Sequence, residues 1–137
     1  MAAYRSSGLV AYQSVAAHSS VAAADSHQLI VMLIDGVLER IARARGAIDN
    51  GAPAVRVQMV YRAIEIIAEL RASLDFDAGG EIAINLGNLY DYCSHRLMKA
   101  NIENNAAMMD EVANLLREIR SAWIAIPAAA RGARAGA

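Results

Sequence analysis

The sequence predicts an all-α fold: an antiparallel up-down four-helix bundle with a flexible or short-helical N-terminal leader. Two observations carry this. Four segments place their apolar residues at alternating spacings of three and four, the period of a helix with one buried face. Short breaks rich in Gly, Pro or Asn separate them, and short connections make neighbouring helices antiparallel. Composition agrees. Alanine is about a fifth of the chain and aromatic residues are 5%, which favours closely packed helices over a sheet sandwich.

The first helix is expected from Asp25 to about Asn50, with Ile30, Leu33, Ile34, Val37, Leu38, Ile41, Ala44 and Ile48 on its buried line. Asp25 or Ser26 can cap its start, and Asn50-Gly51 supplies a left-handed stop. Pro53 opens the second helix where its missing N–H costs least; that helix runs to about Leu74. It carries two stripes: Val57, Val60, Ile64, Ile67 and Leu74, then Met59, Ala63, Ile66 and Leu70. Two explanations stay open here, a central helix with neighbours on two sides or a groove for another protein. Asp75 to Gly80 reads as a turn. The third helix, about Glu81 to Asn104, aligns Ile82, Leu86, Leu89, Cys93, Leu97 and Ala100. Asn101 to Asn105 should hold the next break. The fourth helix, about Ala106 to Ile126, carries Met109, Val112, Leu116, Ile119, Trp123 and Ile126. Three parts follow: a leader over 1–24, a bundle over 25–126 and a disordered tail over 127–137.

Charge and composition exclude several classes. With 13 Lys plus Arg against 14 Asp plus Glu, the chain lacks the basic excess of a nucleic-acid binder. An apolar fraction of 56% excludes wholesale disorder. A single cysteine, Cys93, permits no intrachain disulfide and suits a reducing compartment. The leader breaks its apolar stretches with Arg5, Ser6, Ser7, Gln13, His18, Ser19 and Ser20, unlike a signal peptide. No stretch reaches the roughly 20 apolar residues of a membrane span, so a cytoplasmic protein without membrane insertion is expected.

Catalytic chemistry is sparse. A di-metal bundle needs Glu-x-x-His pairs, and none of His18, His27 and His95 has a Glu three residues before it. Asp91 and His95 make at most half a metal site. Gly79-Gly80 lacks the lysine and the preceding strand of a phosphate loop. Ser94 and His95 diverge on a helix, and Cys93 lies on the buried line, where a thiol is inert. No enzyme and no cofactor are expected. One alternative is histidine phosphotransfer through His95 with Lys99 one turn later, although the usual glycine is absent. The remaining class is recognition by packing, in which an amphipathic partner helix lies in an apolar groove. Met59, Met98, Met108 and Met109 suit that role or fill core gaps.

Several strings, in order across about 100 residues, resemble one family: Leu29 to Gly36; Ile66 to Leu70 with Ser73-Leu74-Asp75; Gly79 to Ala83; and Asn85 to Tyr92 with Arg96-Leu97 and Ala100-Asn101. Glu111-Val112, Leu115-Leu116, Ile119-Arg120 and Trp123 complete the pattern. The chain resembles the flagellar secretion chaperone FliS family. Ile34 departs from it, standing where that family often has tyrosine before Asp-Gly.

The resemblance implies an export chaperone that binds the disordered C-terminal segment of flagellin, prevents premature polymerisation and keeps the subunit export-competent. It implies the flagellar export apparatus as a further partner. The groove it implies lies on the second, third and fourth helices, with Ile66, Leu70, Leu86, Leu89, Tyr90, Tyr92, Leu97 and Asn101 as flagellin-binding residues. Tyr4 and Tyr12 match the family's tyrosine-containing leader, which can cap the groove.

Overall fold

The computed structural model describes residues 22–126, with side chains from Ser26 onward. Those residues form four helices: α1 (Ala22–Asp49), α2 (Pro53–Ala72), α3 (Phe76–Glu103) and α4 (Ala106–Ala125). Each packs against the next and α4 returns to α1, so the bundle closes in up-down order. The leader with Tyr4 and Tyr12, and the tail, lie outside the described residues.

The ends obey local chemistry. Gly51 takes φ +62° between α1 and α2, and Pro53 opens α2 where no side chain caps it. Asp75 caps α3 by accepting from the backbone N–H of Asp77 at 3.1 Å and of Ala78 at 3.0 Å. Asn104 closes α3 in the left-handed region at φ 54°, and Asn105 caps α4 from the Met108 N–H. The asparagine-rich break therefore falls at 104–105. Two expectations change. Helix α1 begins at Ala22, so Asp25 and Ser26 lie inside it and do not cap its start. The stretch from Asp75 to Gly80 is not a plain turn, because α3 already makes a helical turn from Phe76 and breaks within itself at Gly80 (φ 52°, ψ −127°).

The core confirms three lines and shifts one. Ile34, Val37, Ile41 and Ala44 of α1 are buried, as are Met109, Val112 and Leu116 of α4. On α2 both stripes find neighbours: Met59, Val60, Ala63, Ile67 and Leu70 are all buried. The central-helix explanation holds for them, and the second stripe is no open groove. On α3 the buried residues are Ala83, Gly87, Tyr90, Cys93, Leu97, Ala100 and Asn101. Ile82 and Leu89, expected inside, are exposed. The reason is helix phase: Ala83 and Tyr90 lie on the buried face, and Ile82 and Leu89, one residue earlier, lie about 100° around the helix from them.

Trp123 was expected on the buried line and is half-buried instead. Its ring stacks on His27 of α1 at 5.1 Å between centroids and 9° between planes. His27 Nε2 donates to the Trp123 carbonyl at 2.8 Å, and Trp123 Nε1 donates to the His27 carbonyl at 3.1 Å. This reciprocal pair ties the start of α1 to the end of α4. Trp123→Phe keeps a stacking ring and loses one hydrogen bond, so it should cost about 0.5–1.5 kcal/mol. Leu97→Ala, in the closed core, should cost about 2–5 kcal/mol. Urea unfolding of both variants checks the order.

Candidate protein-binding site

Helix α3 carries more apolar surface than its neighbours cover. Ile82, Leu89 and Arg96 are spaced by seven and so lie nearly on one line, drifting about 20° per step. Ile82 is 54% exposed and Leu89 37%, with half-buried Leu86 on the flank of the line. The far end fixes where this line faces. Arg96 Nε donates to Glu111 Oε1 of α4 at 2.8 Å, and the Tyr92 hydroxyl donates to the other oxygen of the same carboxylate. The line therefore runs along the α3–α4 seam. With the helices antiparallel, Leu115, Ile119 and Ala122 of α4 fall opposite Leu89, Leu86 and Ile82. From Ile82 to Leu89 the strip rises about 10 Å, two turns of helix. Exposed Glu81 and Glu118 flank it.

A polar clasp ends the strip. The Arg96 guanidinium lies 6.0 Å from the Tyr92 ring centroid, and both side chains converge on Glu111. The Tyr92 hydroxyl, then Arg96, hold the Glu111 carboxyl below its ordinary 4.5. The same hydrogen bond to Glu111 pushes the Tyr92 hydroxyl up.

A second apolar patch lies on the other flank of α3. Arg56–Asn101 and Arg71–Asp91 set the α2–α3 register, which places Tyr61 and half-buried Val57 and Ile64 near Met98 and Ile102. Ile102 is 75% exposed.

The eight residues expected to bind a partner separate by burial. Leu86, Leu89 and Tyr92 come together on the α3–α4 seam. Leu70, Tyr90 and Leu97 are core residues. Burial pushes the Tyr90 hydroxyl up to about 12, and the neighbouring buried Cys93 thiol up to about 11. Asn101 is buried and accepts from Arg56 Nε at 2.8 Å. Ile66 faces α1, its Cδ1 3.4 Å from where a Gly36 Cβ would stand. Of the four methionines, Met59 and Met109 are core, while Met98 and Met108 are half-buried. His95 and Lys99 are exposed, and among the described residues no group of three His, Cys, Asp or Glu could hold a metal. Sequence reasoning missed Ile82, Leu115, Ile119, Arg96 and Glu111 as surface-site residues. The seven-residue spacing of 82, 89 and 96 was the available signal for α3; the Arg96–Glu111 pairing has none before the helices pack.

Comparison with known proteins decides the family. The family model for flagellar protein FliS matches residues 8–130. The chain belongs to the FliS family. It is 44% identical over 121 residues to the flagellar secretion chaperone FliS of Salmonella typhimurium, covering 88% of this chain and 90% of that protein. It is 41% identical over 120 residues to FliSB of Pseudomonas aeruginosa, covering 88% and 95%. FliS of Bacillus subtilis is 34% identical over 105 residues, 77% of each chain. Those FliS names describe secretion chaperones, which points to a protein client and a non-enzymatic role. The residue at the family's departure, Ile34, is wholly buried, so an apolar side chain suffices there. No helix among the described residues is long and apolar enough to cross a membrane.

The clasp makes a pH prediction. Glu111 has a folded value below its unfolded one, so its contribution is present above the ordinary 4.5 and is lost as pH falls through the depressed value. Urea unfolding between pH 6 and pH 3 should show wild type and Glu111→Gln converging at the acid end. Parallel curves would contradict it.

Proposed function

We propose that the chain is a cytoplasmic export chaperone for flagellin, holding the client's C-terminal segment as a helix along the α3–α4 strip. One observation carries this reading: Ile82 and Leu89 stand in line and open to solvent beside Leu86, Leu115 and Ile119. An amphipathic helix presents anchors at i, i+3 or i+4, and i+7, which matches a strip two turns long. The names of the relatives supply the secretion context.

The physics of the client suits the surface. Unassembled subunits with amphipathic terminal helices pair through their apolar faces. Covering those faces keeps them apart, and the export apparatus then receives an unpolymerised subunit. Ordering a flexible segment costs entropy, which limits affinity for the area buried and permits release. The leader is part of this proposal. Tyr4 and Tyr12 compete for the strip, and burying one such side chain contributes about 1.5–3 kcal/mol.

Calorimetry with full-length flagellin and with flagellin lacking its C-terminal segment tests the client. The first should bind and the second should not. Ile82→Ser with Leu89→Ser should weaken binding at least tenfold, about 1.4 kcal/mol, with the fold intact because both side chains are exposed. Equal binding by both flagellins, or unchanged binding by the variant, removes the proposal. A chain starting at Ala22, the first residue of α1, should bind about tenfold tighter if the leader competes. Weaker binding would mean that its tyrosines touch the client.

A further inference from the structure

The α3–α4 strip does not fade out; it stops at three hydrogen-bonded side chains. Arg96 occupies the next position on the line of Ile82 and Leu89, where a third apolar anchor would continue the strip. The side chains of Arg96 and Glu111 are 30% and 38% exposed, so both still meet water. Arg96 uses Nε toward Glu111, leaving the terminal nitrogens of its guanidinium for another acceptor. Tyr92 and Arg96 already take one oxygen each of the Glu111 carboxylate.

We infer that the Tyr92–Arg96–Glu111 clasp is a specificity stop, which requires the bound helix to present a hydrogen-bond acceptor within two turns beyond its last apolar anchor. The inference rests on the strip being the client site. Its physical basis is desolvation. An apolar side chain laid over the clasp removes water from a charged pair and returns no hydrogen bond. Asn, Gln, Asp or Glu there accepts from the free guanidinium nitrogens and replaces the lost water. The clasp thus selects a segment with two turns of apolar anchors followed by an acceptor, and rejects one whose apolar face runs on. As a mere clip it would do little, because exposed ion pairs contribute about 0–1 kcal/mol to stability.

A leucine scan of the polar positions in a flagellin C-terminal peptide reads the stop directly. Binding is measured by calorimetry to wild type, to Arg96→Leu with Glu111→Leu, and to Ile82→Ser with Leu89→Ser. Wild type should show a position within two turns beyond an apolar anchor where leucine weakens binding about tenfold. In the double-leucine protein that penalty should vanish or reverse. If that protein does not fold, Arg96→Met takes its place, keeping the stem without the guanidinium; the penalty should then fall at least threefold. Glu111→Gln should keep the penalty, because an amide oxygen still accepts from Arg96. A scan with no such position in wild type, or one whose profile is unchanged by removing the clasp, overturns the stop. When the serine pair also binds like wild type, the client site itself is wrong. When the serine pair loses binding and only the scan is unchanged, the site stands without the stop.

Discussion

The rotation of α3 about its own axis governs both the core and the exposed strip, because one helix cannot bury every apolar side chain it carries. Ala83, Gly87 and Ala100 share the inner face with Tyr90, Cys93 and Leu97, and the side chains of Leu74 and Phe76 lie 3.6 Å from where a Gly87 Cβ would stand, an ordinary contact distance. The consequence is paid in apolar exposure on the opposite flank, where Ile82 and Leu89 meet solvent. Turning α3 to hide them would bring Tyr90 and Leu97 outward and open the core.

Polar bridges between helices set register more than stability. Asp35–Arg120 and Arg45–Asp110 join α1 to α4, and Arg71–Asp91 joins α2 to α3. Each is partly exposed and so contributes little free energy. Their value is positional: a slip of one turn would break both charge-matched contacts named on the α1–α4 seam, or the one named on the α2–α3 seam. The His27–Trp123 pair acts where fraying would begin, at the first turns of α1 and the last of α4. On the α3–α4 seam Glu111 joins both Tyr92 and Arg96.

A closed bundle with an open strip is the arrangement a transient binder needs. The core that holds Cys93, Leu97 and Leu116 is separate from the exposed strip, so the proposed binding would need to unfold nothing. A strip two turns long offers limited area, which suits a client that must be given up again. The clasp adds selectivity without adding area.

The sequence by itself determined the four helices, their order, the Gly51–Pro53 boundary and the family. Apolar spacing and breakers such as Gly51-Ala52-Pro53 are local signals, and backbone hydrogen bonding within a helix depends on local chain alone. It also named Leu86, Leu89 and Tyr92 among residues for a partner. The tertiary structure decided which of the eight stay reachable, sending Leu70, Tyr90, Leu97 and Asn101 inward and Ile66 toward α1. Periodicity ranks faces by side-chain size, and so it put Ile82 inside, one position from the buried Ala83. Helix phase is set instead by which side chains the neighbouring helices cover, a property of pairs of helices that no single segment carries. The Arg96–Glu111 bond is of the same kind, since 15 residues of chain and a helix reversal separate two groups that meet at 2.8 Å.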